Sequence, residues 1–126
     1  MSDQPRRSIR TAVDAAEPHL RGRTYAIPFE HVWQTALQLA RAGLKGWSVA
    51  SADDTEGIIK AHARSAVGGE HEIDILISLD ADAQTRVDVE VRALKGFGSA
   101  TRRMQVFFRA LDKAVTPAPA GSSRRR

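Results

Sequence analysis

Cysteine is absent from this 126-residue chain, which excludes a disulfide framework and any thiolate chemistry. No apolar run approaches the roughly 20 residues needed to cross a bilayer. The first 22 residues are basic in places but hold no apolar stretch of the length a secretory signal requires, so the expected location is the cytoplasm. The familiar catalytic signatures are missing too. There is no G-x-S-x-G elbow, no Walker-type phosphate loop and no H-E-x-x-H pair. His19, His31, His62 and His71 share no metal-ligating spacing. Ser51 reads as lying on the apolar face of a strand, with no His or Asp positioned to activate it. The expectation is therefore no catalytic residue, no metal and no cofactor.

What is present is an ordinary globular composition, 42% hydrophobic and 27% charged, and a length that suits one domain. The net charge is +4 and the pI is near 10.1, so the placement of charge matters more than its sum. Residues 1–22 set Arg6, Arg7, Arg10 and Arg21 against Asp3, Asp14 and Glu17. Residues 116–126 (TPAPAGSSRRR) end in three arginines and contain no acid. These two segments account for the whole surplus. Residues 23–115 carry 12 cations and 12 acids. The expected organisation is a disordered basic tail over 1–22, one domain over 23–115 and a disordered Pro/Ala/Arg tail over 116–126.

Within that domain, residues 23–27 suit a short strand with Tyr25 and Ile27 on one face. Pro28 then stops the strand and suits a helix start. Phe29, Val32, Trp33, Ala36, Leu37 and Ala40 recur at spacings of three and four, which puts them on one helical stripe. Gly43 and Gly46 end it. Alternation follows: Trp47, Val49 and Ser51; Ile59, Ala61 and Ala63; His71, Ile73, Ile75, Ile77 and Leu79; Val87, Val89, Val91 and Ala93. One dry and one wet face indicate an antiparallel sheet covered on one side. A last helix, capped by Ser99 or Thr101, carries Met104, Phe107, Phe108, Leu111 and Val115. The fold class is α+β, a two-layer antiparallel meander with helices on one face, in the order β-α-β-β-β-β-α.

Opposite charges favour particular registers. Across the Gly68–Gly69 loop, Arg64 faces Glu70, His62 faces Glu72 and Lys60 faces Asp74. Across the next loop, Ser78 opposite Asp88 sets Asp80 against Arg86 and Asp74 against Arg92, with Ile77–Val89 and Ile75–Val91 on the dry side. Solvated ion pairs of this kind do not signal acid–base catalysis.

Two groups of residues are candidates for binding. Lys95, Gly98, Arg102 and Arg103 surround the start of the last helix, where backbone amides could receive an anion. The plain structural alternative is a tight strand-to-helix turn. Trp33, Trp47 and Phe107 could line a pocket between helix and sheet, or simply fill the core.

The opening RTYAIPFEHVWQTALQLA, Gly46–Trp47 and EGIIKAHARS look like small bacterial domains in which a strand and a P-x-x-V-W helix precede a meander. The closing VDVEVRALKGFGSATRRMQVFFRAL resembles the end of a bacterial family called domain of unknown function fourteen ninety-nine. Gly98, Arg103, Met104, Phe107 and Leu111 take the places of its Gly loop and its helix with Arg, apolar residue and Phe. The resemblance implies a helix-grip-like fold and no activity.

The leading expectation is a non-enzymatic module for a small apolar or anionic ligand or a protein partner. The open sheet edge also predicts pairing into a homodimer. The alternative is an accessory protein that binds nucleic acid through its arginine-rich tails, weakly and with strong salt dependence.

Overall fold

Alternating apolar and polar residues form four long strands in the computed structural model of the chain, which describes residues 8–12, 15, 20–66, 68–96 and 99–115. These strands are β3 (Trp47–Asp53), β4 (Ile58–Arg64), β5 (Glu70–Leu79) and β6 (Thr85–Lys95). Two short strands, β1 (Ser8–Arg10) and β2 (Arg23–Tyr25), both pair with β6, and they lie end to end along its outer edge. All pairings are antiparallel, in the order β1-β6-β5-β4-β3 with β2 beside β6. Helix α1 (Phe29–Gln38) starts where Pro28 accepts from the amides of His31 and Val32. It runs into a π-helical turn, Leu39–Gly43, closed by the Leu44 amide on the Leu39 carbonyl. Helix α2 (Ala100–Val115) returns across the dry face. The architecture is α+β, an antiparallel sheet with both helices on its dry face.

The core lies between this face and the helices. Met104, Phe107, Phe108, Leu111 and Val115 of α2 are at most 2% exposed, as are Ile59, Ile73, Ile75, Ile77, Val87, Val89 and Val91 of the sheet. Trp47 stacks on Phe107 with centroids 5.8 Å apart, and Phe107 meets Phe108 at 5.7 Å. Tyr25 donates to the Asp112 carboxylate at 2.6 Å, and Arg23 lies 4.8 Å over the Phe108 ring. These contacts fasten β2 to α2.

Three expectations need correction. First, residues 8–10 were assigned to a disordered tail but form the edge strand β1. Thr11 follows it, buried, and its hydroxyl donates to Asp88 at 2.6 Å while accepting from the Val89 amide at 3.0 Å. Of the proposed tails, residues 1–7, 13–14, 16–19 and 116–126 lie outside the described residues.

Second, the β5–β6 register differs by two residues. Ser78 faces Arg86, Ile77 faces Val87, Ile75 faces Val89 and Asp74 faces Glu90. The turn decides this: Asp80 accepts from the amides of Asp82 and Gln84, and Ala83 adopts φ +62°. A slip of two keeps every side chain on its face, so alternation cannot detect it. The like pair Asp74–Glu90 is tolerated because Lys60 and Arg92 flank it, at 3.5 and 3.2 Å from Asp74.

Third, a β-bulge between Val49 and Ser51 inserts one residue into β3. Ser51 therefore pairs with Lys60 on the wet side and is exposed, not on the dry face. The β4–β5 register matches expectation throughout, from Lys60–Asp74 to Arg64–Glu70.

Candidate functional site

Strand direction gathers charge that is scattered in sequence. The start of β3, the end of β4, the start of β5, the end of β6 and the start of α2 all meet at one end of the sheet. A cleft of about 760 Å³ opens there, lined by Lys45, Gly46, Ser48, His62, Arg64, Ser65, Ala66 and Arg103. Its backbone floor is tight. The Arg64 amide donates to the Gly46 carbonyl at 2.9 Å, and Gly46 sits at φ +83°. A Cβ there would run into the Arg64 carbonyl, so only glycine fits.

One acid serves this end. The Glu70 carboxylate lies 3.3 Å from His62 Nε2, 3.5 Å from Arg64 Nε and 3.6 Å from Lys95 Nζ. Partial burial acts to raise its pKa, but the charges of Lys95 and Arg64 and the bond from His62 outweigh that and hold it below the usual carboxylate range. His62 thus contacts Glu70 rather than its cross-strand neighbour Glu72, which instead binds Arg92 at 2.8 Å.

Arg103 differs from the other cations. It is half-buried on α2, and it has no ion pair among the described residues. Burial alone pulls its guanidinium below the ordinary arginine range. A cation that is partly desolvated and lacks a counter-charge favours an incoming anion. The hydroxyls of Ser48 and Ser65 add donors around the same space.

The predicted anion group is only partly assembled here. Of Lys95, Arg102 and Arg103, Arg103 lines the cleft and Lys95 adjoins it through Glu70. Arg102 points instead to a small groove with Gln105, Val106 and Arg109. Gly98 lies outside the described residues. Ser99 caps α2, its hydroxyl accepting from the Arg102 amide at 3.1 Å, and its carbonyl accepts from the Arg103 amide. Lys45, Ser48, Arg64 and Ser65 were missed. They come from loops and strand ends far apart in sequence, and the only available signal was the charge of Lys45 beside Gly46 and of Arg64 shortly before the Gly68–Gly69 loop.

The predicted pocket aromatics are core side chains, with Trp33 at 3%, Trp47 at 7% and Phe107 at 0% exposure. None of them lines the basic cleft or a second depression, of about 460 Å³, on the wet face of the sheet. His71 is also buried, in the row between Ala63 and Ala93. Among the described residues no three His, Asp or Glu side chains cluster as metal ligands would, and no helix is long and apolar enough to cross a membrane.

No protein-family model matches the chain, so none supports the resemblance to domain of unknown function fourteen ninety-nine, and no curated protein matches it. Solved structures similar to it include protein CV1439 from Chromobacterium violaceum. That protein is 13% identical, and the match covers 89% of this chain and 99% of that one at a TM-score of 0.47. Another is Ara h 8.0201, at 10% identity, 86% and 96% coverage and a TM-score of 0.44. Neither likeness carries a function to this chain.

Proposed function

We propose that this chain is a non-enzymatic, cytoplasmic binding module that holds a small phosphate- or carboxylate-bearing molecule in the basic cleft. The observation that supports this most is Arg103, half-buried, without a carboxylate partner among the described residues, and facing a cleft also lined by Lys45 and Arg64. Tight packing of Trp47 on Phe107 favours an anionic ligand at the surface over an apolar one inside. Of the tail arginines that carry the nucleic-acid alternative, Arg6, Arg7 and Arg124, Arg125 and Arg126 lie outside the described residues, and Arg10 belongs to β1.

Titration calorimetry of the full chain with inorganic phosphate, pyrophosphate and citrate tests the proposal. Saturable binding is expected for at least one of them, falling with salt. Arg103→Gln removes a charge-assisted bond of about 1.5–3 kcal/mol, a loss of roughly tenfold or more in affinity. Lys60→Gln, outside the cleft, leaves affinity unchanged. A flat response to all three anions, or equal losses from both substitutions, rejects the site.

A further inference from the structure

Residues 23–115 are neutral in sum but polarised in space. The β3–β4 and β5–β6 turns share one end of the sheet, and they present Asp53, Asp54, Glu56, Asp80 and Asp82 without a single cation. The other end presents Arg41, Lys45, Arg64, Lys95, Arg102 and Arg103 against Glu70. A molecule charged in this way attracts a neighbour lying antiparallel to it and repels one lying parallel.

Strand β3 offers the surface for such a neighbour. It closes one side of the sheet, and among the described residues nothing pairs with its outer edge. Its sequence, WSVASAD, holds no proline, lysine or arginine, and no charge before Asp53. Of the usual devices that blunt an edge, only the bulge at Val49–Ser51 is present. The opposite edge differs, since β1 and β2 are three residues each and bring Arg10 and Arg23.

We propose that a second copy of this chain pairs with β3 in antiparallel fashion, about a two-fold axis beside the bulge. Trp47 of each copy then lies opposite Ala52 of the other on the dry face, and Ser48 opposite Ser51 on the wet face, as the one-residue shift at the bulge requires. The sheet continues across the dimer, and the unpaired edge groups of both copies are satisfied. Lys45, two residues before the strand, approaches Asp53 and Asp54 of the second copy, twice by symmetry. Charge selects the antiparallel orientation, and the edge supplies the backbone bonds.

Sedimentation equilibrium of the full chain over a concentration series tests this. A monomer–dimer equilibrium built on the 13.8 kDa chain is expected, weakening as ionic strength rises. Ala50→Lys brings two lysines side by side next to the axis and lowers association roughly tenfold or more. Lys45→Glu also weakens it, and Lys45→Glu with Asp54→Lys restores it. Hydrogen exchange of the amides of residues 47–53, slowing as concentration rises, reads the same contact without any substitution. Monomer mass at every concentration overturns the proposal. So does a dimer indifferent to Ala50→Lys and to the charge swap, because it would use another surface.

Discussion

Removing the Asp112 carboxylate should cost more stability than its exposure suggests. Asp112 accepts from Tyr25 Oη at 2.6 Å and from Arg23 Nε at 3.3 Å. The two bonds differ in worth. Arg23 and Asp112 side chains are 36% and 43% exposed, so solvent screens their pair to about 0–1 kcal/mol. Tyr25 is only 8% exposed, and a hydroxyl bonded to a carboxylate is worth about 1.5–3 kcal/mol. Asp112→Ala should therefore cost about 2–3 kcal/mol. Tyr25→Phe should cost about 1–2 kcal/mol, since Asp112 keeps Arg23 and reaches water. The double variant should fall short of additivity by about 1 kcal/mol or more.

Urea unfolding followed by the fluorescence of the buried Trp33 and Trp47 reads each step. Alkali supplies a second check. Burial, then the bond to Asp112 and its negative charge, raise the Tyr25 pKa well above its usual value. A raised pKa gives a contribution that is full below the unfolded tyrosine value, about 10, and is lost as pH climbs above it. Tyr25→Phe should flatten that alkaline decline. A cost below about 0.5 kcal/mol for Asp112→Ala, or strict additivity of the pair, would refute the assignment of Asp112 as the fastening of β2 to α2.

Three further outcomes are expected. Phe107→Ala empties the contact between Trp47 and Phe108 and should cost about 3–5 kcal/mol, read as a lower urea midpoint at unchanged slope. Thr11→Val strips both hydroxyl bonds of Thr11 while leaving its amide on the Val89 carbonyl, and should cost about 1–3 kcal/mol, whereas a floppy tail would tolerate it with no measurable change. Glu70 has a depressed pKa, so its contribution is present above the unfolded glutamate value, about 4.3, and is lost as pH falls below it. Glu70→Gln should accordingly flatten the acid limb of stability, measured by unfolding between about pH 6 and pH 3.

Legibility from sequence followed the range of the interaction. Both helix stripes are local patterns, and all five residues assigned to the α2 stripe are buried. The β4–β5 hairpin was also readable in full, because opposite charges across it agree with the alternation. The β5–β6 hairpin was not. Its register is set by Asp80 and the left-handed Ala83, and charge pairing pointed two residues away. Ser51 changed faces through one inserted residue, which alternation alone does not announce. Strand β1 was invisible for a different reason. Ser8–Arg10 has no apolar surface of its own to bury beyond Ile9, and its order comes from the free edge of β6.

The cleft marks the boundary most clearly. Residue order alone settles which side chains are apolar, at what period they recur, and that residues 23–115 balance their charges, since each of these is a property of neighbours along the chain. Only folding decides that Lys45, Arg64 and Arg103 share one space while Asp53 and Asp82 stand at the far end. Antiparallel strands reverse direction at every turn, so residues distant in sequence collect at a common end, and electrostatic potential depends on that distance through space.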